Sequence, residues 1–446
     1  MDTAWRRWSQ SDAKMRICLT LIALGLIALA TPVQAAPDDM LIYEVKRGDN
    51  LINLGTKYLV QAGDYRVVQK ANNIRNNRAI PVGTKLRIAR SLLKFRSSTA
   101  QIASVRGNVV HLAGGRQNVA TNGASLGEGS TLKTAGSSFV TITLENGSRV
   151  SLPSNSDLKI VRLRHYLIDS SLDYDFEVGR GAAKSKVTPM TNGNDRYVVK
   201  TPKAVSAVRG TDFQSRYDEA AGTDFSEVTE GALAVTLPDD RQSDMPAGNG
   251  LAVKANGAVI KETLIAPIDL PSAGRLQKDT TVSFALADAA NPNGMRISLA
   301  TDAGFVEQVA DGVFTGKDAS FEGIDDGNYF ARFRVISASG IEGMPITYAF
   351  KRRQNSVSAS GGKGDFGYAF KWAGQGRGKL SYHFQLFQGK TDGIAIVDEA
   401  GLDATEISLS DLPAGDYYWR VASVQYVDGE VSTNWTPFEK LIISAL

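Results

Sequence analysis

The sequence predicts a mainly β, multidomain chain with one small βααβ unit near its start. Three observations predict this. Thr, Val, Ser and 43 Gly recur at short spacing, while helix formers do not dominate. That composition favours strands and turns. Long stretches alternate apolar and polar residues between turn signals, as half-buried strands do. A pattern of acidic/Gly turn, aromatic strand and second Gly turn occurs twice near the end, about 90 residues apart, a spacing of domain repeats. With 446 residues, three or four domains of about 100–200 residues are expected.

The first segment, 1–36, reads as a secretory signal peptide. Arg6, Arg7, Lys14 and Arg16 precede an apolar run from Ile17 to Ala30, followed by "TPVQAAP", with cleavage after Ala35 or Ala36. The run reaches about 21 Å as a helix, short of a bilayer core of about 30 Å. Cys18, the only cysteine, lies inside it. The exported remainder therefore needs no disulfides and has no thiol nucleophile or cysteine metal site. No later run is long and apolar enough to span a membrane. The expectation is an exported, periplasmic or envelope-associated protein with no stable membrane span after signal cleavage.

Residues 41–94 form the βααβ unit. "IYEV" alternates as a strand, "RGDN" is a turn, and Asp49 or Asn50 caps the first helix. Leu51, Leu54 and Tyr58 share one face of that helix. "DYRVVQKAN" is a second helix capped by Asp64, and "IPVGTKLRI" is a turn and closing strand. This segment resembles the LysM peptidoglycan-binding module, through Tyr43, Val45, Gly48, Asp49 and Leu51, then Asn72-Asn73, then Ile80, Pro81, Gly83, Leu86 and Ile88. Asn50 stands where Thr or Ser is usual, and "RNNRA" replaces a shorter loop. The resemblance implies that glycan containing N-acetylglucosamine lies against Gly48, Asp49, Asn50, Leu51, Asn73, Ile74, Ile80 and Pro81. The segment also carries eleven basic and three acidic residues, net +8, which attracts polyanions. Outside the cytoplasm those are stem-peptide carboxylates or anionic envelope polymers, and nucleic acid is not expected.

Residues 102–266 alternate like strands, with Asn146-Gly147 as a hairpin signal. "TPKAVSAVRGTDF" resembles the central motif of FecR-type domains, with Thr201, Pro202, Ala204, Val208, Arg209, Gly210, Thr211 and Phe213 in register. The motif reads as a strand corner. Pro202 ends pairing, Gly210 supplies a backbone angle others resist, and Val205, Ala207 and Val208 face inward. Arg209 is expected to bond backbone carbonyls. Asp173, Asp175 and Glu177 share one strand face, read as its wet side, opposite Leu172, Tyr174, Phe176 and Val178.

Two similar units follow, 268–352 and 360–446, joined by the Ser/Gly-rich "RRQNSVSASGGKGDFG" as linker. Both resemble fibronectin type III-like or immunoglobulin-like sandwiches. Trp372, Tyr418 and Trp435 are expected as core or edge packing, and "GQGRGK" as a hairpin loop rather than a phosphate cradle.

His111, His165 and His383 lie far apart, and no GxSxG elbow occurs. No catalytic group, metal or cofactor is expected. The reading is a non-catalytic envelope protein that grips peptidoglycan and presents its β domains to another, unknown envelope protein. Two alternatives are a FecR-type transmembrane signalling regulator of a sigma factor and a secreted cell-wall-processing enzyme.

Overall fold

The computed structural model describes residues 39–270, 273–286, 293–427 and 429–444. The signal-peptide expectation for 1–36 lies outside them. The chain is mostly β, at 56% strand and 6% helix. No described helix is long and apolar enough to cross a membrane.

The first unit is small. β1 (Met40–Glu44) pairs antiparallel with β2 (Lys85–Ala89), and α1 (Leu51–Tyr58) and α2 (Tyr65–Ala71) lie between them in sequence. The Asn50 side chain accepts the Asn53 N–H and caps α1. Asp64 precedes α2 but makes no capping bond. Leu41, Tyr43, Leu51, Leu54, Val68, Leu86 and Ile88 are its core, and Tyr166 and Ile168 of the next unit join it.

Strands from Phe95 to Thr263 pair around a closed circuit of 18. Their ladders fall into two faces that share one strand, Leu172–Lys186. Its first half pairs with Asp157–Tyr166 and, in parallel, with Arg196–Lys200. Its second half pairs with Arg149–Leu152 and Asp212–Asp218. One core, including Ile142, Leu158, Tyr174, Phe176, Tyr197 and Phe213, fills the space between the faces. Asn146-Gly147 turns between Phe139–Leu144 and Arg149–Leu152, with Gly147 at φ +82°.

Two points differ from expectation here. Ala204, Ser206 and Val208 face the core, while Val205 and Ala207 are half-exposed on the outer face. Val208 is core as expected, and with Ala204 it packs into the interior cluster, so the alternation puts Ser206 inward, its hydroxyl 3.4 Å from that of Ser226, and Val205 and Ala207 outward. Asp173 and Asp175 are not a wet face. Both are fully buried on the outer side of their strand. Arg162 Nη2 and Lys200 Nζ reach Asp175 at 2.8 and 2.9 Å, and Arg162 and Arg196 each reach Asp173 at 3.6 Å. These are cross-strand pairs in register, Arg162 opposite Asp175 and Arg196 opposite Asp173.

The remaining chain forms two further packed units. One has a five-stranded sheet and a two-stranded one around Phe284, Ile297, Phe333 and Phe350. The other packs a three-stranded sheet on a five-stranded one around Phe370, Phe384, Tyr417 and Trp419. The Ser/Gly-rich stretch is not a bare linker. Asn355–Gly364 is a strand paired along its whole length with Gly367–Gly376. A side chain at Gly361 would meet Phe370 and Trp419 at 2.7 and 2.9 Å, so the small residues there let two aromatic rings approach the backbone. Trp372 is core, whereas Tyr418 is half-buried on the outer side and Tyr417 and Trp419 point inward. "GQGRGK" is not the expected hairpin: it carries the chain from the strand ending at Gly376, in the three-stranded sheet, to the strand starting at Lys379, in the five-stranded one, so it crosses between sheets.

Gly210 stands at φ +128°, and a Cβ there would lie 2.9 Å from Pro189 Cα. Both angle and space exclude a branched side chain. Gly210→Val is expected to destabilise the closed β unit by about 2–4 kcal/mol, measured by urea unfolding.

Candidate functional site

The site is built on the two loops at one end of the β1–β2 pair. Lys46 N–H and the Tyr43 hydroxyl both donate to Asp49 Oδ2, at 2.7 and 2.8 Å. Asp49 thereby fixes the turn in which Gly48 adopts φ +93°. Burial, together with that bond to Asp49, pushes the Tyr43 hydroxyl pKa up. The Leu51 N–H donates to Asn77 O and the Gly83 N–H to Val45 O, each at 2.9 Å, so the second loop is stapled onto the first. Gly48 and Pro81 are exposed, and Asp49 and Asn50 are partly so. Exposed backbone turns beside an apolar residue suit an acetamido group, which needs donors, acceptors and a shelf for its methyl.

The other sequence-predicted residues are placed differently. Leu51 and Ile80 are core, and Ile74 packs partly against it. Asn73 follows the C-cap of α2 at φ +53°, exposed, and no hydrogen bond joins it to the Gly48–Leu51 loop among the described residues. Its neighbour Asn72 is tied to β2 by reciprocal bonds with the Arg87 backbone at 2.7 and 2.8 Å. Asn77, which joins the loops, carries no sequence signal, because its contribution is a backbone carbonyl.

Nine cations of this unit are exposed, among them Lys46, Arg47, Lys57, Arg75, Arg78 and Lys85. None of the nine has a carboxylate within 4.0 Å among the described residues. Of the other two, Lys94 is half-buried and Arg90 is buried. It is buried against the following unit, its Nη2 donating to Asn194 O at 2.6 Å and its guanidinium lying 5.3 Å over the Tyr166 ring. Asn194 in turn pairs with β1 like a single rung of strand: it accepts the Ile42 N–H at 3.0 Å and donates to Ile42 O at 2.8 Å.

The Thr201–Phe213 motif is a corner. Asp224 Oδ2 accepts the Thr201 hydroxyl and the Lys203 N–H, both at 2.6 Å. Thr211 Oγ1 donates to Ala232 O at 2.8 Å. Phe213 and Ala204 are buried, Pro202 is exposed, and Phe213 meets Tyr197 edge-on. Arg209 is exposed and donates to one carbonyl, Gly193 O, at 2.5 Å.

His111 Nε2 lies 3.2 Å from Ser130 Oγ, and His383 Nε2 2.5 Å from Asp398 Oδ1. Burial lowers the His111 pKa. Ser130 is itself buried, with its Oγ accepting the Gly127 N–H, which makes it a turn residue. No group of three or more His, Cys, Asp and Glu able to hold a metal occurs among the described residues.

Residues 43–89 match the LysM domain model and residues 130–234 the FecR protein model. The chain therefore carries a LysM domain and a FecR domain, families of binding and regulation rather than catalysis. No curated protein matches it. Two solved structures of a "putative anti-sigma factor" from Parabacteroides distasonis are 19% identical, with TM-scores of 0.25 and 0.26. In each, the alignment covers 30% of this chain and 59% of the other. The fibronectin(III)-like modules of Clostridium thermocellum CbhA are 15% identical, over 39% of this chain and 90% of theirs, at a TM-score of 0.17.

Proposed function

We propose that the protein is a non-catalytic, exported component of the cell envelope that holds peptidoglycan through its LysM domain. The FecR domain and the two sandwiches then present surfaces to another envelope component. The LysM match over 43–89 carries the reading. The stapled loops around Gly48, Asp49, Asn50 and Pro81 support it, as does the unpaired basic surface. The gain is avidity, since one modest glycan contact raises the local concentration of everything attached to it.

The test is co-sedimentation of the purified exported chain with insoluble sacculi. The chain is expected in the pellet at low salt and in the supernatant once residues 41–94 are deleted. Raising salt from 50 to 500 mM, which shortens the screening length about threefold, should weaken retention without abolishing it. Protein that stays in the supernatant at low salt overturns the reading.

The FecR match favours a second reading, a signalling regulator that relays an envelope state to a cytoplasmic partner. Amino-terminal sequencing of the envelope fraction separates the two. A start at Ala36 or Pro37 supports export, and an intact Met1 or Met15 supports the regulator.

A further inference from the structure

A groove of about 1020 Å³ lies between the β1–β2 pair and the outer face of the FecR strands. It is at the upper end of the volumes that ligand sites occupy. Its floor is made of small residues: Val198, Val205, Ala207 and Ala234, the last three half-exposed or exposed. Val198, Ala207 and Ala234 stand side by side on three neighbouring strands. A floor of methyl and isopropyl groups admits a chain with small side chains close to the sheet. One wall is β1, where Ile42 is 41% exposed.

The groove also has a charge. Arg87 and Arg209 are exposed, and Arg90 is buried with Nε and Nη1 unpaired. None of the three has an ion-pair partner among the described residues. Two carboxylates line the groove. Asp195 is spent on the N–H groups of Leu172 and Asn192, leaving Asp244. Guanidinium groups in excess over carboxylates, around a small-residue floor, fit an extended peptide with short side chains and free carboxylates. Burying a guanidinium with unpaired N–H groups is costly, and an incoming carboxylate lowers that cost.

We infer that this groove binds the acidic, alanine-rich stem peptide of peptidoglycan, while the neighbouring loops bind its sugar. The inference rests on the wall-binding reading above. The geometry permits both at once. Ile42 on the groove wall and Gly48 in the glycan loop are six residues apart, at most about 20 Å. The outward parity of Val205 and Ala207 and the corner position of Arg209 then have a use beyond scaffolding.

Titration calorimetry on the full exported chain tests this with three probes: chitotetraose, the free stem tetrapeptide, and the same tetrapeptide with its carboxyls amidated. The free tetrapeptide is expected to bind and the amidated form to lose that binding. Arg87→Glu, by loss of one charge-assisted contact, and Ala234→Trp, by filling the floor, both at exposed positions, should each weaken the tetrapeptide by about tenfold. Chitotetraose should bind Ala234→Trp as it binds the unaltered chain. Tetrapeptide binding without chitotetraose binding would sink the sugar reading and leave the groove standing. Chitotetraose binding without tetrapeptide binding, or tetrapeptide binding that neither substitution alters, overturns the groove. So does equal binding of an unrelated glutamate-rich peptide, which would make the occupant an acidic protein segment.

Discussion

Arg296→Met is expected to destabilise the junction between the FecR domain and the following sandwich by about 3–5 kcal/mol, as breaking one side of a buried ion pair does. Arg296 Nε lies 2.5 Å from Glu342 Oε1 and Nη1 3.1 Å from Asp311 Oδ2, and both carboxylates are nearly inaccessible. Glu342 also receives the Gln214 amide at 3.2 Å, and its own N–H donates to Glu227 Oε1 at 3.3 Å, so it sits across the join. Arg216 Nη2 donates to Gly340 O at 2.6 Å while its guanidinium lies 3.7 Å over the Phe225 ring. Without Arg296, the only ion-pair partner left to Glu342 among the described residues is the more distant Arg216, at 3.9 Å, beside the Gln214 amide. Differential scanning calorimetry should show the sandwich melting earlier and separately from the FecR domain. A single unshifted transition would contradict this account.

The same junction should strengthen as pH falls from about 7 towards 4.5. Burial pushes the Glu227 carboxyl up from 4.5 to about 7, against the pull of Arg216. The folded state thus takes up a proton that the unfolded chain holds only below its ordinary carboxylate pKa. Its contribution is fully present below 4.5 and lost as pH rises through 7, a swing of about 3 kcal/mol by linkage. Glu342 runs the other way. Burial raises its pKa, but Arg296 and Arg216 overcome that and hold the carboxyl well below the usual range. Its stabilisation is therefore present above the ordinary pKa and lost only in strong acid. Glu227→Gln should flatten the pH dependence of unfolding between 5 and 8. An unchanged slope would show that Glu227 titrates normally.

Much of the fold was legible because local chemistry decided it. The Asn50 cap, the Asn146-Gly147 turn and the Tyr174/Phe176/Val178 inward face each follow from residues within a few positions. The site was half legible. Gly48 and Asp49 declare a turn, whereas Asn77 acts through a carbonyl that every residue carries. The errors share one cause. Strand parity at Val205–Val208 is ambiguous when Ser and Ala alternate with Val, and it is settled only by what packs across it, with Ala204 and Val208 in the core and Ser206 against Ser226. Asp173 and Asp175 look like a solvated face until Arg162, Arg196 and Lys200 from adjoining strands cover them. The run Asn355–Gly364 reads as a linker until Phe370 and Trp419 need its missing side chains. Each depends on what lies across a ladder, which sequence spacing does not encode.

The strand Leu172–Lys186 belongs to both faces of the FecR domain, and this shapes how the protein reaches its working state. In chain order this strand precedes several of its partners, among them Arg196–Lys200 and Asp212–Asp218. Each face needs its half of this strand to complete its ladders. The amino-terminal βααβ unit and the carboxy-terminal sandwiches are thereby joined through a domain whose two faces are stitched by one continuous strand.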